Sequence, residues 1–148
     1  MVKIWEKIQP LFPDWQLDIY GEGEQQQELE DKVHSLGMNI KIHQPTERII
    51  DCYREKSILV STSLFEPFGL VIPEAMSCGL PVVAYDCPYG PADIISDGNN
   101  GYLIRYDDID NYVDKISLLM KDMDLRIKIG KDGQVSSKRY EVDQIMPL

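Results

Sequence analysis

Ser61-Thr62-Ser63-Leu64-Phe65-Glu66-Pro67-Phe68-Gly69-Leu70-Val71-Ile72-Pro73-Glu74-Ala75-Met76 is a polar loop that turns at Gly69 into an apolar helical pattern. In front of it, Ile58 to Val60 is a compact apolar run between Ser57 and Ser61, fit for a strand buried on both faces. Behind it, the spacing predicts a helix over Leu70 to Cys78, with Val71, Ala75 and Met76 inward and Gly79 at the C-terminal end. Pro81 then opens a second apolar run, Val82 to Tyr85. Strand, helix and strand in this order make a parallel crossover unit, and the fold class follows from it: α/β.

The same alternation extends in both directions. Ile4, Trp5, Ile8 and Leu11 recur at helical spacing before Pro13, and Leu17 to Tyr20 reads as a strand ending at Gly21-Glu22-Gly23. Leu29, Val33 and Leu36 mark one face of a helix closed by Gly37. Ile40 to Ile42 is a short strand, and Ile49, Ile50 and Tyr53 form an amphipathic turn. Downstream, Cys87 to Asn100 is mostly loop, with a helical turn at Ala92 to Ile95, and Tyr102 to Ile104 is the last strand. Ile109, Tyr112, Val113, Ile116, Leu119 and Met120 give the cleanest amphipathic helix; beyond Asp124 the pattern weakens to a helix reaching about Lys131 and a tail.

Ligands of open α/β sheets sit beyond the carboxyl ends of the strands, which directs attention to three loops. Gly21-Glu22-Gly23 lacks the third glycine of a dinucleotide fingerprint, because Gln26 stands in its place, so that pattern fails and these residues read first as a plain two-glycine turn. In the Ser61–Met76 stretch, the free N–H groups from Phe68 to Val71 form a natural pocket for a phosphate or sugar oxygen. Glu66 lies on the loop before that helix start and Glu74 one turn into it, leaning back toward the same rim. Two carboxylates there suit the paired hydroxyls of a ribose or hexose. The plain alternative has Glu74 complementing the helix dipole and Glu66 as a solvated charge. The third loop, Cys87-Pro88-Tyr89-Gly90-Pro91-Ala92-Asp93, is stiff enough to shape a pocket but would look the same as a connector.

Composition bounds the function. The chain has 148 residues, 43% apolar and 27% charged, as in ordinary globular proteins, and a prior of one domain. A formal net charge of −10 argues against nucleic acid, whose binding needs a basic face. No run approaches the roughly eighteen apolar residues of a membrane span, and Met1 to Glu6 lacks a signal-peptide pattern. Cys52, Cys78 and Cys87 lack metal-ligand spacing, which suits reduced thiols in a cytoplasm and predicts no metal site.

At Phe65 to Ala84 the chain resembles the retaining glycosyltransferases of the two-Rossmann GT-B architecture, family four of the sugar-enzyme classification. Glu66 and Glu74, separated by seven residues, match that family's glutamate pair, as do Phe68-Gly69-Leu70 between them and Glu74-Ala75-Met76, Gly79 and Pro81-Val82-Val83 after. Trp15 to Gly23 resembles the family's strand and Gly-x-Gly turn, and Gly90 to Ile104 its Gly-Pro-x-x-Ile-Ile, Asp-Gly and Gly-Tyr-Leu-Ile stretch. The resemblance implies a Rossmann-like parallel sheet flanked by helices, one half of a GT-B enzyme, spanning residues 1–148. It implies that Glu74 binds the nucleotide ribose, and that Glu66 lies by the donor sugar's hydroxyls as the catalytic-site carboxylate. Phe68, Gly69 and Leu70 would contact sugar and diphosphate through their backbone, with Gly21 and Gly23 near the nucleotide. The donor would be a nucleotide-sugar, UDP-sugar by family frequency. The resemblance implies that no metal or cofactor is required, because basic side chains and a helix end stabilise the leaving diphosphate, and that no protein nucleophile is needed, because the donor phosphate itself helps to deprotonate the acceptor.

The departures from the family carry their own expectations. The family's first strand, its Gly-Arg turn and the following Lys-Gly pair have no counterpart here, nor does the N-terminal acceptor domain, and Glu141 to Leu148 resembles the start of a longer closing helix. The chain therefore reads as a donor domain truncated at both ends. Alone it is expected to be inactive, weakly stable and prone to associate, with the acceptor domain supplied in cis or trans. A non-catalytic nucleotide-sugar-binding or partner-binding module of a split enzyme is the alternative from another class. A sugar-nucleotide epimerase of the same architecture accounts less well for the Glu66–Glu74 spacing.

Overall fold

The computed structural model describes residues 1–65 and 70–141. The chain divides into two compact units, residues 1–49 and 50–148. Its strands are all parallel and lie in two sheets, β1-β2 in the first unit and β3-β4-β5 in the second.

The first unit contains α1 (Val2–Ile8), β1 (Leu17–Tyr20), α2 (Gln26–Ser35) and β2 (Ile40–His43). Ile4, Trp5 and Ile8 are buried on α1, and Leu17, Val33 and Ile40 on the elements that follow. Leu11 departs from the helical reading: α1 ends at Ile8, and Leu11 is 63% exposed on the turn that follows. Leu36 likewise lies just past the end of α2 and is exposed, because the chain reverses at Gly37 with φ +59, a conformation glycine adopts without strain. β1 and β2 run in register from Leu17↔Ile40 to Tyr20↔His43. His43, the last residue of β2, has Nε2 2.7 Å from Asp18 Oδ1 of β1, and its ring stacks on Tyr20 at 4.5 Å.

The second unit contains most of α3 (Ile49–Arg54), then β3 (Leu59–Ser61), α4 (Val71–Ser77), β4 (Val82–Asp86), α5 (Pro91–Ile94), β5 (Tyr102–Arg105), α6 (Ile109–Lys121) and α7 (Met123–Ser137). β4 is the middle strand, and Val82, Val83 and Ala84 have no exposed surface, as a parallel strand covered on both faces requires. Asp108 caps α6 by accepting from the Asn111 amide, and Asp122 caps α7 by accepting from the Leu125 amide. Val71 departs from the expected inward face of its helix: it begins α4 and is 42% exposed, while Ile72 and Pro73 are buried with Ala75 and Met76.

α7 is longer than its apolar pattern predicts, running to Ser137 and continuing into a 3-10 turn at Lys138–Tyr140. Its buried positions are Ile129, Gly130, Gly133 and Ser137, so small residues outnumber large apolar ones on its inward face. A Cβ at Gly130 would stand 2.1 Å from the Gly79 carbonyl oxygen, so only glycine permits this approach. Polar pairing supplies what apolar burial does not. Buried Asn100 donates to the Ile94 carbonyl and to Ser136 Oγ and accepts from the Ser96 amide, and Gln134 donates to the Ser77 carbonyl.

Candidate functional site

β3 and β4 deliver two loops to the carboxyl edge of the three-stranded sheet, where a parallel α/β sheet places its ligands. The root of the first is held by Tyr112 of α6, which is completely buried. Its hydroxyl lies 2.9 Å from the Ser61 carbonyl and 2.7 Å from that of Val83, one proton serving two acceptors. This ties the last residue of β3 to the interior of β4 and sets where residues 62–70 depart. Burial pushes the Tyr112 phenol far above its ordinary range, so it stays a donor. The helical spacing of α6 assigns Tyr112 to the core but gives no sign of this hydroxyl's task.

Of the residues singled out in the sequence, Glu66, Phe68 and Gly69 lie outside the described residues. Leu70 is the N-cap of α4 and is 64% exposed; among the described residues no side chain caps the helix start, and the Leu70 carbonyl accepts from the Glu74 amide. Glu74 is half-buried within the first turns of α4. Gly21 and Gly23 belong to the first unit. Gly21 has φ +150, which favours glycine, and its amide donates to the His43 carbonyl; Gly23 has open space around it and accepts from the Gln26 amide.

One neighbour of Glu74 escaped the sequence reading. Tyr53 on α3 is buried, and its phenol is pushed up to about 12, first by burial and then by the Glu74 carboxylate, with Cys78 and Cys52 adding to it. Its place in the amphipathic turn Ile49, Ile50, Tyr53 marks it as core; only the fold brings it beside α4. The Tyr53 phenol is thus held protonated, and its O–H remains a donor. The folded state binds the Tyr53 proton more tightly than the unfolded chain, whose phenol ionises near 10. The stability it contributes is therefore complete below pH 10 and lost as pH rises through about 12. A near-ultraviolet tyrosinate titration of the wild type against Tyr53→Phe should show one late-ionising phenol missing from the variant. Identical titration curves would mean that Tyr53 is not shielded.

Among the described residues there is no group of three or more His, Cys, Asp or Glu side chains able to hold a metal ion, and all three cysteines are free. No helix among them is long and apolar enough to cross a membrane.

Parallel β-α-β units with open loops at the carboxyl edge define a Rossmann-like α/β domain of the type found in GT-B enzymes. The chain belongs to the glycosyl transferases group 1 family, whose model matches residues 1–135. It is 35% identical over 133 residues to the poly(ribitol-phosphate) α-N-acetylglucosaminyltransferase of Staphylococcus aureus, covering 86% of this chain and 27% of that protein. It superimposes with a TM-score of 0.92 at 30% identity on S. aureus TarM in complex with fondaparinux, α-GlcNAc-glycerol and UDP, covering 97% of this chain and 30% of that one. Anabaena HepE in complex with UDP gives a TM-score of 0.84 at 26% identity, with 97% and 42% covered. The chain spans 42% or less of the length of the first curated relatives it matches.

Proposed function

We propose that this chain is the donor-binding domain of a retaining glycosyltransferase, taking a UDP-activated sugar for transfer to a glycan or lipid-linked acceptor. The observation that carries the reading is the sequence pair Glu66 and Glu74, of which Glu74 lies in the first turns of α4 at the carboxyl edge of a parallel sheet. UDP in the structures of similar proteins supports the choice of nucleotide. In this reading Glu74 accepts from the ribose hydroxyls and Glu66 from hydroxyls of the transferred sugar. The backbone at Phe68, Gly69 and Leu70 donates to sugar and diphosphate. Transfer breaks the anomeric C–O bond to the diphosphate while the acceptor oxygen attacks from the same face, its proton passing to the departing phosphate oxygen. No protein nucleophile, metal or cofactor is required in this scheme. An acceptor-binding domain, in cis or in trans, completes the enzyme; the share of its relatives' length that the chain covers supports this. Three free thiols support a reducing, cytoplasmic setting.

Calorimetry with UDP, GDP and ADP tests the reading: UDP should bind most tightly, and failure of all three to bind overturns it. The division of labour between the glutamates has a separate signature. In the complete enzyme Glu66→Ala should lower turnover by about 10- to 100-fold, the loss of one charge-assisted hydrogen bond in the transition state, while UDP affinity barely changes. Collapsed UDP binding with near-normal turnover would reverse the two roles.

A further inference from the structure

Three side chains donate to the last two carbonyls of α5. The Asp93 carbonyl accepts from Arg139 Nη2 at 3.0 Å and from the Tyr140 hydroxyl at 3.0 Å. The Ile94 carbonyl accepts from Asn100 Nδ2 at 3.1 Å and from Arg139 Nη2 at 3.4 Å. The Arg139 guanidinium also lies over the Tyr140 ring, 4.8 Å from its centroid, so the two side chains present their donors together. α5 itself is a single turn of four residues, closed by the Asp93 amide on the Gly90 carbonyl and the Ile95 amide on that of Pro91. One turn fixes many dihedrals for few bonds and does not hold by itself; its end carbonyls need partners from outside. Arg139 and Tyr140, in the 3-10 turn that follows α7, supply them.

The loop that α5 closes is strained. Tyr89 has φ +61, a conformation in which Gly, Asn and Asp are at home and a bulky aromatic is an outlier, and Gly90 follows at φ +123. Such strain persists where the surroundings over-determine the backbone. Buried Cys87 fixes the loop on the β4 side, and α5, through buried Pro91 and Ile94, fixes it on the other. The Tyr89 ring is 72% exposed and meets Phe65, on the loop that leaves β3, edge to face with centroids 6.2 Å apart. Contacts therefore run without a break from Tyr140 through Asp93, Gly90 and Tyr89 to Phe65. Contiguity alone is not coupling, which requires an element with two arrangements that both ends bias; a single turn, wound or unwound, is such an element.

We infer that Arg139 and Tyr140 form a latch on α5 and are positioning residues for the loop between β4 and α5. Seated, they keep α5 wound, Tyr89 in its strained form and its ring against Phe65. Unseated, α5 unwinds, Tyr89 relaxes to negative φ and the ring contact is lost. The loop they hold lies at the carboxyl edge of the sheet, beside the proposed donor site; that consequence rests on the donor-domain reading, whereas the latch stands on the contacts alone.

Amide hydrogen exchange and the nuclear Overhauser effect between the Phe65 and Tyr89 rings, measured by NMR on the full natural chain, test the latch, with UDP calorimetry run alongside. Tyr140→Phe removes one hydroxyl and keeps the ring under Arg139. It should speed exchange of the Asp93 and Ile95 amides about 10-fold, the loss of one hydrogen bond. Arg139→Ala combined with Tyr140→Phe should unwind α5 and abolish the ring–ring signal, which a purely local contact at Asp93 would leave intact. Tyr89→Asn supplies the coupling measurement, because Asn accepts positive φ and removes the strain that opens the turn. Added to Tyr140→Phe, it should return most of the lost protection at Asp93 and Ile95. This single-hydroxyl comparison decides the matter even where the combined Arg139 and Tyr140 variant fails to fold. A ring–ring signal that survives in the folded combined variant, or the same 10-fold loss of protection with and without Tyr89→Asn, overturns the latch. A wild type that shows these exchange effects but does not bind UDP overturns the donor-domain reading instead and leaves the latch standing.

Discussion

Gly130→Ala should be the most damaging single-methyl substitution in α7. The added Cβ would lie 2.1 Å from the Gly79 carbonyl oxygen and 3.1 Å from the Gly79 carbonyl carbon. Both partners are backbone, so neither can rotate away, and α7 must lift from the turn between α4 and β4. That displacement spreads to contacts made along the helix, including the Gln134 bond to the Ser77 carbonyl and the Ser136 bond to Asn100. The cost should reach or exceed the upper end of the roughly 1–3 kcal/mol typical of overpacking. The gain of about 1 kcal/mol from replacing a helical glycine with alanine is too small to offset it. Gly133→Ala is the internal comparison. Its Cβ would meet the Asn100 carbonyl oxygen and Met76 Cγ, each at 3.3 Å, and the flexible methionine can yield. Urea unfolding of both variants should give a large loss for Gly130→Ala and a small one for Gly133→Ala. Equal midpoints for Gly130→Ala and the wild type would show that α7 does not pack on Gly79 in this way.

Glu74→Ala should lose about 1.5–3 kcal/mol of UDP affinity, the worth of a charge-assisted hydrogen bond to the ribose. The fold should tolerate the change: Glu74 is half-buried, alanine is the better helix former, and the α4 core consists of Ile72, Pro73, Ala75 and Met76. An internal signal reports whether the side chain was removed without rearrangement. The Glu74 carboxylate helps to hold the Tyr53 phenol at about 12, so Tyr53 should ionise at lower pH in the variant. It should still titrate above its ordinary value, because burial is the larger cause and remains. Calorimetry showing equal UDP affinity in both proteins, with the Tyr53 shift present, would remove Glu74 from the nucleotide site. Loss of both affinity and the tyrosine shift would point to a displaced helix instead.

The parts of the fold legible in the sequence are those whose burial is written in large apolar side chains. Leu17–Tyr20 agrees with the sequence reading residue for residue, and β4 needs only Asp86 added at its end. α6 declares itself because Tyr112, Val113, Ile116, Leu119 and Met120 all face inward. α7 defeated the same logic, since beside the single large apolar residue Ile129 its inward face is Gly130, Gly133 and Ser137, which no hydrophobic pattern detects. Leu11, Leu36 and Val71 show the converse error: apolar residues at helical spacing that fall at or beyond the helix ends and stay exposed.

By itself, then, the sequence determined the α/β class, the order of the β-α-β units and the glutamate spacing about a helix start, all of which depend on residues near one another in the chain. Only the tertiary structure decided that Tyr53 stands beside Glu74, that the Tyr112 hydroxyl anchors Ser61 and Val83, and that Phe65 and Tyr89 meet across two loops. It also decided the outlying φ of Tyr89, on a residue whose type argues against it. Local pattern reports which face of an element avoids water. Which polar group meets which depends on how distant segments pack, and a hydroxyl or ring gains its role only from the partner that packing supplies.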